Sequence, residues 1–325
     1  MSRRMKQRLQ ETLDKKEQAM ILLNKRGYAS FIKCESCNEP IRCPHCDVTL
    51  TYHKAENRLK CHLCEYFIPT PRTCPNCGST HLKKIGYGTQ KIEEELEKQY
   101  PEAHIIRFDF DTTRNKNTHL KLLKDFEEHK ADIMLGTQMI AKGLDFSNVT
   151  FVGVLMADLS LMVPDFRASE RTFQLLCQVA GRSGRGEKQG TVMIQTFNPE
   201  HYAIKAAVKQ DYDAFFKEEI AFRKKAKYPP YCHLVSVIVQ SRSPKNVHSI
   251  ALDISQYLKD HLEKVRIIGP QSTFKMQDIY RERILIKYIE SKPIYEQLSI
   301  IDDYYNRTRK GGVIVACDFN PYSTY

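Results

Sequence analysis

The sequence predicts an α/β protein: a doubly wound parallel sheet, interrupted by a cysteine-rich insertion and followed by a small α+β domain. Three observations carry this prediction. Short apolar runs alternate with amphipathic helical segments, first near residue 18 and again from about 91 to 197. Eight cysteines, arranged as four Cys-x-x-Cys pairs, are confined to the stretch from Cys34 to Cys77. A stiff break, Tyr228-Pro229-Pro230-Tyr231, is followed by a fresh set of strands and helices.

The elements follow in order. Residues 1–16 are polar and basic, with Leu9 and Leu13 as a thin apolar stripe, which predicts a surface helix. Gln18 to Asn24 is apolar enough for a buried strand. The α/β pattern resumes directly after the cysteines, so that segment is an insertion. Gly86 to Gln90 opens a helix over 91–99 with acidic residues in its first turns. A strand over 104–108, a polar loop over 109–117 and an amphipathic helix over 118–128 come next. Ile133-Met134-Leu135 is a short buried strand, 149–157 is another with Asp158 at its end, and 190–197 is the last. Between these last two strands lies a helical run in which Phe173, Leu176, Val179 and Ala180 share a face. Residues 199–227 are helical and close on the basic run Arg223 to Lys227. The C-terminal domain then has strands at 233–240, 266–269, 283–289 and 312–318, with helices at 246–262 and 294–305. Its polar stretch from Thr273 to Arg283 is the best local candidate for a nucleic-acid contact.

Composition bounds the function. The chain has 325 residues, enough for two or three domains, and 42% are hydrophobic. A net charge of +11 suits a polyanionic partner, although lysine-rich surfaces also serve solvation. No run approaches the ~18 apolar residues of a membrane span, and no apolar core of signal-peptide type follows Met1-Ser2-Arg3-Arg4. A cytoplasmic protein with no membrane partner is expected.

In a reducing compartment, four Cys-x-x-Cys pairs predict structural zinc, because thiolates two residues apart can face one tetrahedral ion. Cys43, Cys46, Cys61 and Cys64 have near zinc-ribbon spacing and are grouped together; Cys34, Cys37, Cys74 and Cys77 close around them. A sequential grouping stays open on the residues alone. His45, His53, His62 and His81 are substitute donors, but eight cysteines leave two ions no vacancy. Cys177, Cys232 and Cys317 lie in apolar settings and are expected in the core.

Two further segments carry chemistry. The strand at 133–135 runs into Gly136-Thr137-Gln138 and Ala141-Lys142-Gly143-Leu144-Asp145-Phe146. In open α/β sheets ligands bind at that carboxyl end. A threonine hydroxyl and loop N–H groups suit a phosphate there, Gly143 permits close backbone approach, and Asp145 can accept from a ribose hydroxyl. The second segment, Gln178 to Gly186, ends a helix in a glycine-rich turn carrying Arg182 and Arg185, the arrangement of an arginine finger in phosphoryl transfer.

In order and spacing these segments resemble motifs V and VI of superfamily-2 helicases. With Asp165 to Arg171, the Leu23 to Tyr28 segment, the cysteine block and the Asp318-Phe-Asn-Pro321 ending, the chain is similar to the primosomal replication-restart DNA helicases. The resemblance implies a RecA-like C-terminal lobe over 1–33 and 84–222, a two-zinc domain over 34–83, and a C-terminal domain over 223–325. It also implies the nested zinc grouping. Arg182 and Arg185 would reach the γ-phosphate of ATP, with Gly143, Asp145 and Gln178 lining the nucleotide. Thr89, Thr137, Gln138 and Lys142 would contact DNA. The implied activity is ATP-driven 3′-to-5′ unwinding of forked and single-stranded DNA at stalled forks. Implied partners are primosome proteins and single-stranded-DNA-binding protein, and the chain is expected to be a monomer in the bacterial cytoplasm, associated with the nucleoid.

The sequence contains neither Gly-x4-Gly-Lys-[Ser/Thr] nor any Asp-Glu dipeptide. A motor ATPase needs the first to cradle phosphates and the second to hold Mg²⁺. ATP and Mg²⁺ are therefore expected only with a first lobe, and this polypeptide alone is expected to be inactive as an ATPase. Two other classes stay open: a non-catalytic zinc-dependent module binding DNA or a partner, and a zinc-ribbon protein of transcription or topoisomerase type, against which motifs V and VI argue.

Overall fold

The computed structural model describes residues 1–24, 31–45, 49–53, 57–61, 64, 66–85, 89–109, 116–140, 146–163, 165–182, 189–273, 275–308 and 312–323. The chain begins with helix α1 (Arg3–Asp14) and strand β1 (Gln18–Leu23). The cysteine-rich segment holds β2 (Phe31–Cys34), β3 (Thr51–His53), β4 (Arg58–Lys60), β5 (Phe67–Pro69) and β6 (Leu82–Ile85). After it come α2 (Thr89–Gln99), β7 (Ile105–Phe108), α3 (Lys116–Glu127), β8 (Ile133–Gly136) and β9 (Val149–Leu155). Helix α4 (Ala168–Ala180), β10 (Thr191–Ile194), α5 (Tyr202–Lys209) and α6 (Tyr212–Ala226) follow. The last elements are β11 (His233–Ser241), α7 (Pro244–His261), β12 (Arg266–Ser272), β13 (Tyr280–Tyr288), α8 (Ser291–Asp302) and β14 (Ile314–Phe319). They divide between two compact units, Met1–Ser30 with Gly86–Glu219, and Phe31–Ile85 with Ile220–Tyr325.

The first unit is a five-stranded parallel sheet in the order β10-β9-β1-β8-β7. Its three interior strands, β9, β1 and β8, are buried at every position, as largely apolar runs require when both faces are covered. The alternation is visible along β1. Met20 and Leu22 join the core of Phe108, Phe126, Phe173, Leu176 and Val179. Ala19, Ile21 and Leu23 join the opposite core of Met5, Leu9, Leu96 and Tyr100. Helix α1 thus does more than cover a surface, because Met5 and Leu9 are fully buried against that second face. Its four-residue spacing puts both on one side, and Ser2 caps its start by accepting from the Met5 N–H.

The second unit contains the cysteine-rich module and a four-stranded antiparallel sheet in the order β12-β13-β11-β14. With α7 and α8 inserted, the chain order is strand-helix-strand-strand-helix-strand, a split βαβ arrangement. Val235, Val237 and Val239 of β11 and Ile284 and Ile286 of β13 face α7 and α8 across one core. In the cysteine-rich module β2 pairs with β6, and β3-β4-β5 form a short meander. No helix among the described residues is long and apolar enough to cross a membrane.

Candidate functional site

The cysteines form two separate clusters. Cys34, Cys37, Cys74 and Cys77 place their sulfurs within 4.8 Å of one another, and so do Cys43, Cys61 and Cys64. The nested grouping is therefore the one the fold adopts; Cys46 lies outside the described residues. Tetrahedral Zn–S bonds of about 2.3 Å require sulfurs about 3.8 Å apart. The Sγ separations are 3.6 Å for Cys34 and Cys77, 3.7 Å for Cys37 and Cys74, and 3.6 Å for Cys43 and Cys64. These donors fit zinc. Four-thiolate coordination, complete among the described residues for the Cys34 cluster, offers no open position, so an ion there supplies folding energy rather than catalysis.

The first cluster is built from two matching knuckles at the end of the β2–β6 pair. After the second cysteine of each, the backbone turns left-handed, at Asn38 (φ 62°) and Gly78 (φ 73°). Ser36 and Ser79 join the knuckles through their hydroxyls, 2.7 Å apart. The backbone N–H of Cys37 aims at the Cys34 sulfur and lowers that thiol to about 6; the N–H of Glu39 lowers Cys37 likewise. Both shifts favour the thiolate that a metal needs. The second cluster sits among Ile32, Ile41, Leu50, Tyr52 and Leu59, and Cys61 N–H donates to Tyr66 O (2.7 Å).

In the parallel lobe, Thr137 and Gln138 stand at the carboxyl end of β8. Gln138 Nε2 reaches Asn24 Oδ1 (3.4 Å) at the end of β1. Thr89 opens α2 and is buried, its hydroxyl donating to Asp109 Oδ2 (2.7 Å). Asp109 is also 3.0 Å from Arg107, which pairs with Glu93 at 2.8 Å; burial raises the Glu93 carboxyl. Gln178 is exposed in the last turn of α4. Arg182 follows the end of that helix, half-buried, with its N–H on Val179 O (3.0 Å). Lys142, Gly143, Asp145 and Arg185 lie outside the described residues.

Three further groups support this end of the sheet, in roles the sequence does not display. Asn24 is buried, and its Nδ2 donates to Ala157 O (2.9 Å) and Ser160 Oγ (3.0 Å). Ser160 in turn contacts Thr172 Oγ1 (2.6 Å), so the ends of β1 and β9 and the second turn of α4 share one network. Asp158 accepts from Thr196 Oγ1 (2.6 Å), Phe197 N–H (2.9 Å) and Asn198 N–H (3.1 Å), tying β9 to the segment after β10. Asp165 accepts from Arg167 N–H (2.8 Å) and lies 3.7 Å from Arg171, which anchors the start of the helix that carries Arg182. The available signal was a polar residue closing an apolar strand, since a buried amide or carboxylate must find partners.

A parallel lobe of this kind, with an inserted cysteine-rich module and an appended split βαβ domain, defines the C-terminal region of a helicase. Residues 81–187 match the helicase conserved C-terminal domain, residues 43–69 the PriA DNA helicase Cys-rich region domain, and residues 224–322 the primosomal protein N C-terminal domain. The chain is 47% identical over 320 residues to the replication restart protein PriA of Bacillus subtilis, covering 97% of this chain and 40% of that protein. It is 42% identical to the same protein of Chlamydia pneumoniae, over 90% of this chain and 40% of the relative. The Synechocystis protein is 40% identical over 88% and 35%. The chain belongs to the PriA family of replication restart proteins and spans about 40% of the length of these relatives.

Proposed function

We propose that this chain is the C-terminal portion of an ATP-dependent superfamily-2 DNA helicase that unwinds DNA 3′ to 5′ in replication restart and primosome assembly at stalled forks. The observation that carries the reading is the co-occurrence, in one chain, of the helicase C-terminal lobe, the two cysteine clusters and the primosomal C-terminal domain. We divide it into a lobe (1–33 and 84–222), a zinc module (34–83) and a C-terminal domain (223–325). Arg182 and Arg185 would stabilise charge on the γ-phosphate of ATP. Gly143, Asp145 and Gln178 would line the nucleotide, and Thr137, Gln138 and Lys142 would grip DNA phosphates, which set position without reading sequence. Thr89 would join them only by releasing its hydroxyl from Asp109. ATP and Mg²⁺ would enter with a first lobe supplying the phosphate loop and the Asp-Glu pair missing from this sequence. Forked and single-stranded DNA, primosome proteins and single-stranded-DNA-binding protein are the proposed partners of a cytoplasmic monomer.

The missing phosphate loop favours a second reading for the isolated chain, a non-catalytic zinc-dependent module that binds DNA or a partner. Fluorescence anisotropy on forked DNA across a salt series, with and without zinc chelation, tests both. Binding that weakens with salt and needs zinc places fork recognition in this portion. No binding at low salt assigns DNA affinity elsewhere and leaves the module reading only its partner-binding form. ATP turnover by the pure chain, abolished by Arg185→Ala, would overturn the two-lobe requirement.

A further inference from the structure

The polar stretch at the tip of the β12–β13 hairpin closes onto the second cysteine cluster. Met276-Gln277-Asp278-Ile279 is a tight turn, with left-handed backbone at Gln277 (φ 53°) and Asp278 (φ 59°). Met276 N–H donates to Ile279 O (3.2 Å) and Ile279 N–H to Met276 O (3.1 Å). Three polar contacts seat this turn on the knuckle that follows Cys43. Asp278 N–H donates to His45 O (2.9 Å), His45 Nδ1–H donates to Asp278 Oδ2 (2.6 Å), and Lys275 Nζ donates to Pro44 O (2.8 Å). Met276 packs against the core built around Cys43 and Cys61. From inside the hairpin, Arg281 points Nη1 at Ile279 O (3.3 Å) and Nε at Gln240 Oε1 (3.1 Å), tying the turn to the sheet. The Tyr66 ring meets the His45 ring edge-on, 5.2 Å between centroids.

The surface being gripped consists of two main-chain carbonyls and one imidazole inside a Cys-x-x-Cys knuckle. A knuckle this short draws much of its order from an ion it wraps, because metal binding in such small modules is folding energy. We propose that the Met276–Ile279 turn is a clamp on this knuckle, linking metal occupancy at Cys43, Cys61 and Cys64 to order in the β12–β13 hairpin. The link is reciprocal: the ion holds the turn, and the turn holds the ion. Lys275 and Asp278 act as supports outside the ligand shell, a position where substitutions typically weaken metal affinity about tenfold or more.

The test uses the full zinc-loaded chain. Zinc transfer to a chromogenic chelator is followed for wild type, Lys275→Ala and the near-isosteric Asp278→Asn. The expected result is two release phases, with only one accelerated in the variants, by about tenfold. Cys34→Ser, which removes the other ion, should leave the accelerated phase in place. Hydrogen exchange is then measured on wild type before and after chelation. Residues 273–281 should lose protection while β11 keeps it. Release rates equal to wild type, equal acceleration of both phases, continued protection of 273–281 without metal, or collapse of β11 together with the hairpin would each overturn the proposal.

Discussion

The Asn24 side-chain amide donates to Ser160 Oγ at 3.0 Å, joining the end of a central strand to the short turn after its neighbour. The same amide serves Ala157 O and Gln138. Removing it strands buried polar groups, each worth about 1–3 kcal/mol. Asn24→Ala is therefore expected to destabilise the parallel lobe by about 2 kcal/mol, and Ser160→Ala by less. Because the two share a network, the double variant should cost less than the sum. Hydrogen exchange of β1 and β9 amides is the readout, since a chain of two units need not unfold in one transition. Strict additivity would show that the two side chains act independently.

Asp158 gives a pH signature. Burial opposes its charge, but hydrogen bonds from Thr196, Phe197 N–H and Asn198 N–H outweigh burial and hold the carboxyl below its ordinary value. A depressed carboxylate contributes stability above its unfolded pKa of about 3.9, and loses it as pH falls through the lower folded value. Asp158→Asn should cost about 2 kcal/mol near neutral pH, because an amide cannot replace three charge-assisted acceptances. As pH falls through that lower folded value the variant and wild type should converge. Parallel thermal-unfolding curves from neutral to acid pH would show that the charge plays no part.

How much of this was legible beforehand follows from the range of the interactions. Strands β1 and β9 are local statements, since an unbroken apolar run has to be covered on both sides. The cysteine spacing carried the ligands, and the choice between nested and sequential grouping came from the β2–β6 pairing that brings Cys34 to Cys77. Asn24 looked like the polar end of a strand, because partners 114 to 136 residues away leave no local trace. The Thr273 to Arg283 stretch had the composition of a nucleic-acid loop. Its Lys275 and Asp278 also meet Pro44 and His45, more than 230 residues away, which no local pattern shows. Thr89 reads from the sequence as a phosphate donor at a helix start, and its bond to Asp109, 20 residues away, is a partner the local pattern does not show.

Metal content follows from the two sulfur clusters. The purified chain is expected to carry two zinc ions, measured by plasma mass spectrometry. Cys34→Ser and Cys74→Ser should each lose the same ion, leaving about one equivalent, whereas Cys61→Ser loses the other. The pairwise pattern matters more than the total. If Cys34→Ser and Cys43→Ser removed one common ion while Cys61→Ser and Cys74→Ser removed the other, the grouping would be sequential.

Asn306 guards an exposed sheet edge. Its Oδ1 accepts from Val315 N–H (2.9 Å) and its Nδ2 donates to Val315 O (2.7 Å), the two bonds a neighbouring strand would make. Asp302 Oδ1 also accepts from Nδ2, at 2.6 Å, and orients the amide. β14 is the edge of the four-stranded sheet, and Ile314 beside this clasp is exposed. An open edge next to an apolar side chain invites pairing between copies. Asn306→Ala should free both main-chain groups with little loss of core packing, so the fold persists while self-association increases. Sedimentation velocity over a concentration series reads this directly, with a dimer or larger species expected in the variant at concentrations where the parent chain sediments as one species. Adding Ile314→Lys to the variant should reverse the effect by placing a charge on that edge. An Asn306→Ala chain that sediments like its parent at every concentration would show that the clasp serves only to hold the α8 end against the sheet.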